Sequence, residues 1–452
     1  MFRHCNWKNS LNVPAHLFVF VMLTFPLVNA LFYVRIVLLS VVLLIVMALV
    51  LKTGRLGLHP TIILWTYSLT ALSFLFILEG CFTGAPGAFK TVSVYVIFPS
   101  IYAVMIAGVR NERILTGVIA TFVFSTICIS IYAVTHLLIQ TGLMPENKFF
   151  DLISFDWELQ AFDIHDKYIG MQYPGLKSLP FLVPFTLSAS VIPTTLGSSV
   201  PLFLRRAWLW IATLLSLLAV MISGRRALYF VTLIAPCLIF LFSSFQPKSE
   251  RRVSRRALVQ VTAAGLLTVL IVLIVLNVLF GVTVTGLEDR FLGGFNFSAT
   301  ADDSSGAIER ATQYRALLAG WMENPLFGAG HGAPVYGSIR SDTEPWTYEL
   351  TYLALLYQTG LFGFTAYSAG VLWIYWMGLR VIRAGGQLSG LMVASLVGMS
   401  SILIANATNP YVAGLDGMWG IFLPLAVINL WFAAPKKLEK IQHAVNSVMV
   451  PS

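Results

Sequence analysis

Apolar runs of about twenty residues recur along nearly the whole of this chain, and they constrain its fold more than any other feature. A run of that length, wound as a helix, crosses the hydrocarbon core of a membrane. Only 11% of the residues are charged, whereas a soluble domain has about a quarter. Because the backbone in lipid must satisfy its own hydrogen bonds, we expect each crossing to be a helix and not an open strand.

The runs predict an all-α polytopic membrane protein of about 12 transmembrane helices, which forms a single transmembrane domain over residues 1–452. The predicted spans are 13–30, 31–51, 60–82, 91–109, 114–140, 179–198, 207–223, 226–244, 257–281, 350–378, 387–406 and 416–433. Val28-Asn29-Ala30 resembles a signal-peptidase site, so a cleaved leader is the alternative for the first run. The second run follows at once, which favours a hairpin of two helices.

Lys and Arg are distributed unequally between the two sets of connections. With the N-terminus in the cytoplasm, most basic residues fall on cytoplasmic connections and most acids on the other side, so we expect both termini to be cytoplasmic. The net charge of +9 is scattered in short clusters that report orientation, and nucleic-acid binding is not expected. The four cysteines lack the spacing of metal ligands, and no metal site is expected.

Two connections are long, 141–178 and 282–349, and both fall on the outer side of the membrane. Helices in a bundle are joined by short loops unless a loop has a function of its own. The first loop mixes acids with aromatic residues, which suit either a membrane interface or sugar rings. Lys177, at its end, is a candidate cation for substrate binding. The two loops therefore predict that the function lies at the outer face.

Arg225 and Arg226 follow Ser223-Gly224 at the predicted outer end of one helix and the start of the next. A guanidinium stays charged, and keeping it near hydrocarbon costs at least a few kcal/mol. The pair either reaches the lipid headgroups or binds an anionic group such as phosphate. No acid lies nearby in the sequence, which favours anion binding.

The second long loop contains a predicted helix over residues 306–323, with a serine pair before it and a proline after it. The apolar face predicted for this helix comprises Tyr314, Leu317, Leu318 and Trp321. Arg310 and Gln313 are expected elsewhere on its surface. We expect the helix to lie on the mouth of the bundle and present Arg310, with Arg315 and Tyr314 as further candidate substrate contacts.

Two residues after this helix are candidate general bases. His331 lies in the turn 324–332, where three glycines in alternate positions allow the backbone to approach a ligand closely. The alternative for His331 is a structural histidine. Glu349 lies at the start of the next predicted helix, where a carboxylate either complements the helix dipole or accepts a proton from a sugar hydroxyl.

Three stretches, taken in order, resemble the O-antigen ligase and O-antigen polymerase family of bacterial envelope enzymes. They are residues 223–228, residues 310–330 and residues 353–363. The resemblance implies a C-type glycosyltransferase fold without metal or cofactor. It also implies an undecaprenyl-diphosphate-linked glycan as substrate, a site on the periplasmic face of the inner membrane, and membrane lipid and a polysaccharide chain-length regulator as partners.

Arg225 and Arg310 match the arginines with which the family binds the donor diphosphate, and Arg226 stands where the family often has glycine. The family's ligases have a catalytic histidine before the helix that returns into the membrane, and Glu349 occupies that position here. The departure favours a polymerase over a ligase, with His331 as the alternative base. A transporter of lipid-linked sugars is the alternative outside the enzymes, although its usual two similar halves are not visible in the sequence.

Overall fold

The computed structural model describes residues 12–26, 31–145, 162–165, 168–171, 174–192, 202–248, 305–337 and 344–433, with four isolated positions between 270 and 278. The helices in this part of the chain are α1 (Asn12–Thr24), α2 (Phe32–Thr53), α3 (Pro60–Phe82), α4 (Ala88–Gly108), α5 (Glu112–Gln140), α6 (Leu179–Val191), α7 (Arg206–Ser223), α8 (Arg226–Ser243), α9 (Ser305–Glu323), α10 (Thr351–Ala384), α11 (Gln387–Ala405) and α12 (Trp419–Ala433).

Seven of the described helices, α2 to α5, α7, α8 and α11, are long and apolar enough to cross a membrane. Helices α1, α6 and α12 are apolar but shorter. Helix α10 contacts α3: the indole N–H of Trp65 in α3 donates to the carbonyl of Gly370 in α10 at 3.0 Å. The chain is therefore a multi-pass helical membrane protein, as predicted. The predicted span 257–281 lies outside the described residues except at four isolated positions, so the number of about 12 crossings stays a prediction.

The first long connection contains a short antiparallel hairpin that the sequence analysis did not predict. Strand β1 (Phe162–His165) pairs with β2 (Tyr168–Met171), with Phe162 opposite Met171 and His165 opposite Tyr168. Both strands contain the aromatic and β-branched residues that favour extended backbone. In a chain dominated by helical runs, two four-residue strands leave little periodic signal.

Helix α6 lies at the centre of the described bundle. Its residues from Leu179 to Ser190 are all buried, and it packs against α7, α8 and α11. A helix that is apolar all round is expected in such a position. Helix α2 is equally apolar but peripheral: among its side chains only Val42, Val46 and Leu49 are buried. We expect the remaining side chains of α2 to face lipid.

Two of the helices are irregular, and both irregularities lie beside the candidate site. Helix α4 contains a π-helical turn at Ser93–Ile97, and such turns are frequent at functional sites. Helix α10 is interrupted at Gly360, where φ is 61° and ψ is −171°. The single helix predicted over residues 350–378 is therefore wrong in this respect: two helical segments meet at a break that only glycine readily adopts.

Candidate functional site

Helix α9 packs against the start of α10 and defines one end of the bundle, called here the α9 end. The predicted helix over 306–323 is confirmed within one residue. Leu317 is fully buried in a cluster with Ala333, Tyr348 and Tyr357. A Cβ on Gly320 would come within 2.8 Å of the Tyr357 ring, so the two helices are in close contact here. Within the described residues, the second long connection thus contains a helix that rests on the bundle.

The face that α9 buries differs from the predicted one. Gln313 is 2% exposed and Leu317 is fully buried, whereas Tyr314 is 48% exposed. Arg310, Gln313 and Leu317 share a face at helical spacing. The prediction placed Arg310 and Gln313 away from the packed face because it assumed that the most apolar side chains are the ones that pack. A buried polar side chain is stable when it is hydrogen-bonded, and these two are.

Arg310 forms an ion pair with Glu349. The Arg310 Nε donates to the Glu349 Oε2 at 2.7 Å, and the two side chains are 19% and 13% exposed. A short, charge-assisted bond in a partly dehydrated position is among the stronger hydrogen bonds in proteins. Among the described residues, Arg310 makes this bond through Nε, and its terminal nitrogens make no hydrogen bond there. The structure therefore brings together two of the predicted site residues.

Gln313 was not predicted as a site residue, and it holds the main chain beside this pair. Its Oε1 accepts hydrogen bonds from the main-chain N–H of Glu349 at 2.9 Å and of Leu350 at 3.4 Å. Helix α10 begins at Thr351, and Leu350 provides no side-chain cap, so Gln313 supplies the cap from α9. The only sequence signal for this role is its spacing of three residues from Arg310.

The three glycines of the turn 324–332 do allow a close approach, but to the protein's own helices and not to a ligand. Gly328, Gly330 and Gly332 have φ of +76°, +85° and +80°. A Cβ at these positions would lie 2.6, 2.3 and 2.2 Å from main-chain atoms of α10, of Gly80 in α3 and of Ala88 in α4. The turn is therefore wedged between three helices, which corrects the expectation of a ligand-binding loop.

The same turn fills the break in α10. The N–H groups of residues 361 and 362 donate to the carbonyls of residues 325 and 326 at 2.9 and 3.0 Å. The N–H groups of residues 329 and 330 donate to the carbonyls of residues 357 and 358 at 3.0 and 2.9 Å. A broken helix inside a membrane protein is tolerated where its freed backbone groups find such partners. The turn and the break at Gly360 thus form one unit.

His331 lies at the bottom of this turn and is fully buried. Its Nδ1 is 3.2 Å from the Gln358 Oε1, its Nε2 is 3.2 Å from the Tyr367 hydroxyl, and its ring stacks on Tyr95 at 3.9 Å. Its main-chain N–H donates to the Phe76 carbonyl at 2.9 Å. Burial lowers the pKa of His331 to about 4, so the ring is neutral near pH 7. Both nitrogens are occupied, and this geometry favours the structural alternative.

Arg225 and Arg226 lie at the junction of α7 and α8 and are both half-buried. Gly224 has φ of 61° and turns the chain sharply, and the Arg225 N–H donates to the Ser223 Oγ at 3.2 Å. Within the described residues, the Arg225 guanidinium forms no hydrogen bond or ion pair. It is thus a half-buried cation without a protein counter-charge among those residues, as a clamp for an anionic group would be.

The remaining predicted contacts, Lys177, Tyr314 and Arg315, are exposed. Lys177 lies in a 3₁₀-helix (Pro174–Ser178) next to Ser178, whose Oγ donates to the Asp416 Oδ2 at 3.2 Å. Asp416 is 6% exposed. Burial raises its pKa, while the positive charge of Lys177 opposes that shift. Lys177 therefore lies over a buried carboxylate of the loop between α11 and α12.

An apolar cavity of about 210 Å³ is lined in part by the start of α10. Thr351 and Tyr352, at the start of α10, line one part of it, and Trp65 and Val371 line the part farther from the α9 end. Its walls come from α3, α4, α10, α11 and α12, and they are mostly aliphatic and aromatic. The cavity offers space for an apolar chain against the start of α10, the helix that follows Glu349 in the chain.

The fold and the site define a multi-pass membrane protein with a cation–carboxylate pair at one end of the bundle and an apolar cavity lined in part by the start of α10. The family model for O-antigen ligase matches residues 211–368, from within α7 to within α10. The match contains all three stretches that carried the resemblance, which is thereby confirmed over this part of the chain. Arg225, Arg226, Arg310, His331 and Glu349 all lie inside it. No curated protein matches the chain.

Proposed function

We propose that this protein is a metal-independent glycosyltransferase that polymerises undecaprenyl-diphosphate-linked repeat units at the periplasmic face of the bacterial inner membrane. The Arg310–Glu349 pair carries the proposal, because one helix there presents a phosphate-binding cation and another presents a proton acceptor. The excess of Lys and Arg on alternate connections supports cytoplasmic termini and a periplasmic site.

The arginines bind the donor diphosphate in this proposal. When the anomeric C–O bond breaks, its electron pair stays on the diphosphate, whose negative charge grows. Fixed guanidinium groups aimed at that charge stabilise the transition state more than the ground state. The terminal nitrogens of Arg310 are free to do this while Nε stays on Glu349. Arg225 and Arg226 supply further positive charge, and the apolar cavity accommodates part of the polyprenyl chain.

Glu349 accepts the proton of the acceptor hydroxyl as that oxygen bonds to the anomeric carbon. Its carboxylate is partly exposed, whereas the His331 ring is fully buried with both nitrogens in hydrogen-bonding contact. We therefore assign the base to Glu349 and give His331 the role of holding the turn against α3 and α10. In this proposal Lys177, Tyr314 and Arg315, whose side chains are exposed, contact the growing glycan.

Transfer of the glycan to a lipid or other acceptor is the second candidate function, since the matching family is described as O-antigen ligase. A carboxylate at the position of the ligase histidine is the reason for preferring polymerisation. A polymerase of this kind works with a chain-length regulator, and we propose such a protein as a partner.

The test is to incubate the purified protein with a polyprenyl-diphosphate oligosaccharide and separate the products on a gel. A ladder of lipid-linked chains supports a polymerase, transfer to an added acceptor supports a ligase, and no product from intact protein overturns both. Arg310→Ala and Arg225→Ala should each abolish the product. Arg383→Ala is the control, because Arg383 lies over the Phe245 ring near the other end of α10.

A further inference from the structure

Five large apolar side chains are exposed next to one another where α9 ends and α10 resumes after its break. The exposed fractions are 64% for Met322, 60% for Leu326, 62% for Phe327, 48% for Leu361 and 55% for Phe362. The rings of Phe327 and Phe362 are in contact, with centroids 5.9 Å apart. We call these five side chains the apolar lip. Three of them lie outside every predicted membrane span.

The apolar lip is held rigidly to the bundle. The carbonyls of Pro325 and Leu326 accept from the N–H groups of Leu361 and Phe362. The Trp321 indole N–H donates to the Pro325 carbonyl at 3.1 Å. The loop residues of the lip therefore cannot move independently of α10, and their exposure belongs to the folded structure.

The depth of the lip follows from its contact with α3. Gly330, a few residues beyond the lip, is packed against the main chain of Gly80. Helix α3 is a candidate membrane span that begins at Pro60, and its twenty residues from there to Gly80 rise by about 30 Å. A hydrocarbon core is about 30 Å thick. The lip therefore lies at the level where the core meets the lipid headgroups.

Exposure of the apolar lip to water is unfavourable. Soluble surfaces rarely expose a contiguous patch of several large apolar side chains, and apolar side chains at the boundary of a membrane insert into its acyl region. Two lip members, Leu361 and Phe362, belong to α10, which runs beside the candidate span α3. The loop residues Leu326 and Phe327 continue that side of α10 without interruption.

We infer that the apolar lip is embedded in the lipid of the membrane at the α9 end, so that the turn after α9 is a membrane-contacting segment and not a water-exposed loop. Lipid at the headgroup–acyl boundary is the partner. The inference is independent of the proposed function. It means that α9 is held at its C-terminal end by lipid and, twelve residues earlier, by the Arg310–Glu349 pair.

The test measures depth in proteoliposomes. The four native cysteines are replaced by serine, Phe327→Cys is labelled with an environment-sensitive fluorophore, and quenching by lipids with a spin label near the headgroup is recorded. Tyr33→Cys, which is 76% exposed at the N-terminal end of α2, is the lipid-facing control at headgroup depth, and Tyr336→Cys, which is 97% exposed at the far end of the same loop, is the water-facing control.

We expect quenching at residue 327 to approach that at residue 33 and to exceed that at residue 336 several-fold. Leu326→Cys provides a second reporter if the first variant does not fold. Quenching no stronger than at residue 336 would overturn the inference. Weak quenching of the labelled variant, together with a disulfide between two copies of the unlabelled Phe327→Cys variant, would also overturn it and would replace lipid by a second copy of the chain.

Discussion

Glu349→Gln separates the two roles that Glu349 can have in the charged pair. The amide oxygen of glutamine can still accept the hydrogen bond that Arg310 Nε now makes to the carboxylate at 2.7 Å. The orientation of the guanidinium is therefore retained, while the negative charge and the capacity to take a proton are lost. If Glu349 is the general base, the variant should lose transfer activity. If Glu349 only orients Arg310, the variant should keep it.

The expected effects differ in size. The paired side chains are 19% and 13% exposed, so the pair lies between a surface ion pair, worth up to about 1 kcal/mol, and a buried one, whose loss costs about 3–5 kcal/mol. We expect the variant to lose about 1–2 kcal/mol of stability. Loss of a general base slows transfer by about 10²–10⁴-fold, or about 3–5 kcal/mol of activation free energy.

The assay is single-turnover transfer with purified protein, accompanied by thermal unfolding in the same detergent. Glu344→Gln is the matched control: Glu344 is a glutamate of the same loop, 3.8 Å from Lys90 and half exposed. It should transfer at close to the wild-type rate. A wild-type rate for Glu349→Gln alongside an inactive Arg310→Ala would refute the assignment of Glu349 as base and leave it as the residue that positions Arg310.

Three further predictions concern the supports of the site. Gly330→Ala should prevent stable folding, whereas Gly337→Ala should be tolerated. Both residues have φ near +86°, but only at position 330 would the added Cβ lie within 3 Å of another segment's backbone. The measure is the yield of monodisperse protein, and equal yields would contradict the close packing of the turn 324–332 between the helices. Gln313→Met should remove two main-chain hydrogen bonds, which lowers the free energy of unfolding by about 1–3 kcal/mol, and it should lower kcat more than it raises KM. Gln313→Glu keeps an acceptor oxygen and should recover most of kcat. Equal kcat in the two variants would exclude a positioning role for Gln313. The folded-state pKa of His331 lies below its unfolded value, so the contribution of neutral His331 to stability is fully present above about pH 6.5 and is lost as the pH falls towards 4. His331→Asn should therefore flatten the dependence of melting temperature on pH. An unchanged slope would mean that other groups cause this dependence.

The helices could be predicted from the sequence because a segment in lipid has almost no alternative to the α-helix. Every backbone group in hydrocarbon must be paired within its own segment, so an apolar run of sufficient length is a helix wherever it lies. The predicted ends of α3, α8 and α11 agree with the structure within one residue for this reason. The helix α9 was predicted from its flanking serine and proline residues, which act locally.

The break in α10 and the wedge at Gly330 could not be predicted in the same way. Gly360 follows Thr359 in an apolar run that reads as continuous helix, and a break is stable there only because residues 325–330 supply the missing hydrogen-bond partners. Those partners lie 28 to 36 residues earlier in the chain than the residues they bond. A glycine-rich turn predicts a close approach, but the sequence does not say whether a ligand or a helix is approached.

The sequence by itself determined that the chain is a multi-pass helical membrane protein, predicted two long connections, and showed that residues 223–228, 310–330 and 353–363 resemble one enzyme family. These properties depend on composition, run length and motif order. Only the tertiary structure decided that Arg310 pairs with Glu349, that Gln313 holds the main chain between them, and that His331 is buried. The first two facts depend on which face α9 packs against α10, and the third depends on how the turn 324–332 packs between α3, α4 and α10. Hydrogen bonds between residues far apart in the chain, not local periodicity, set both arrangements.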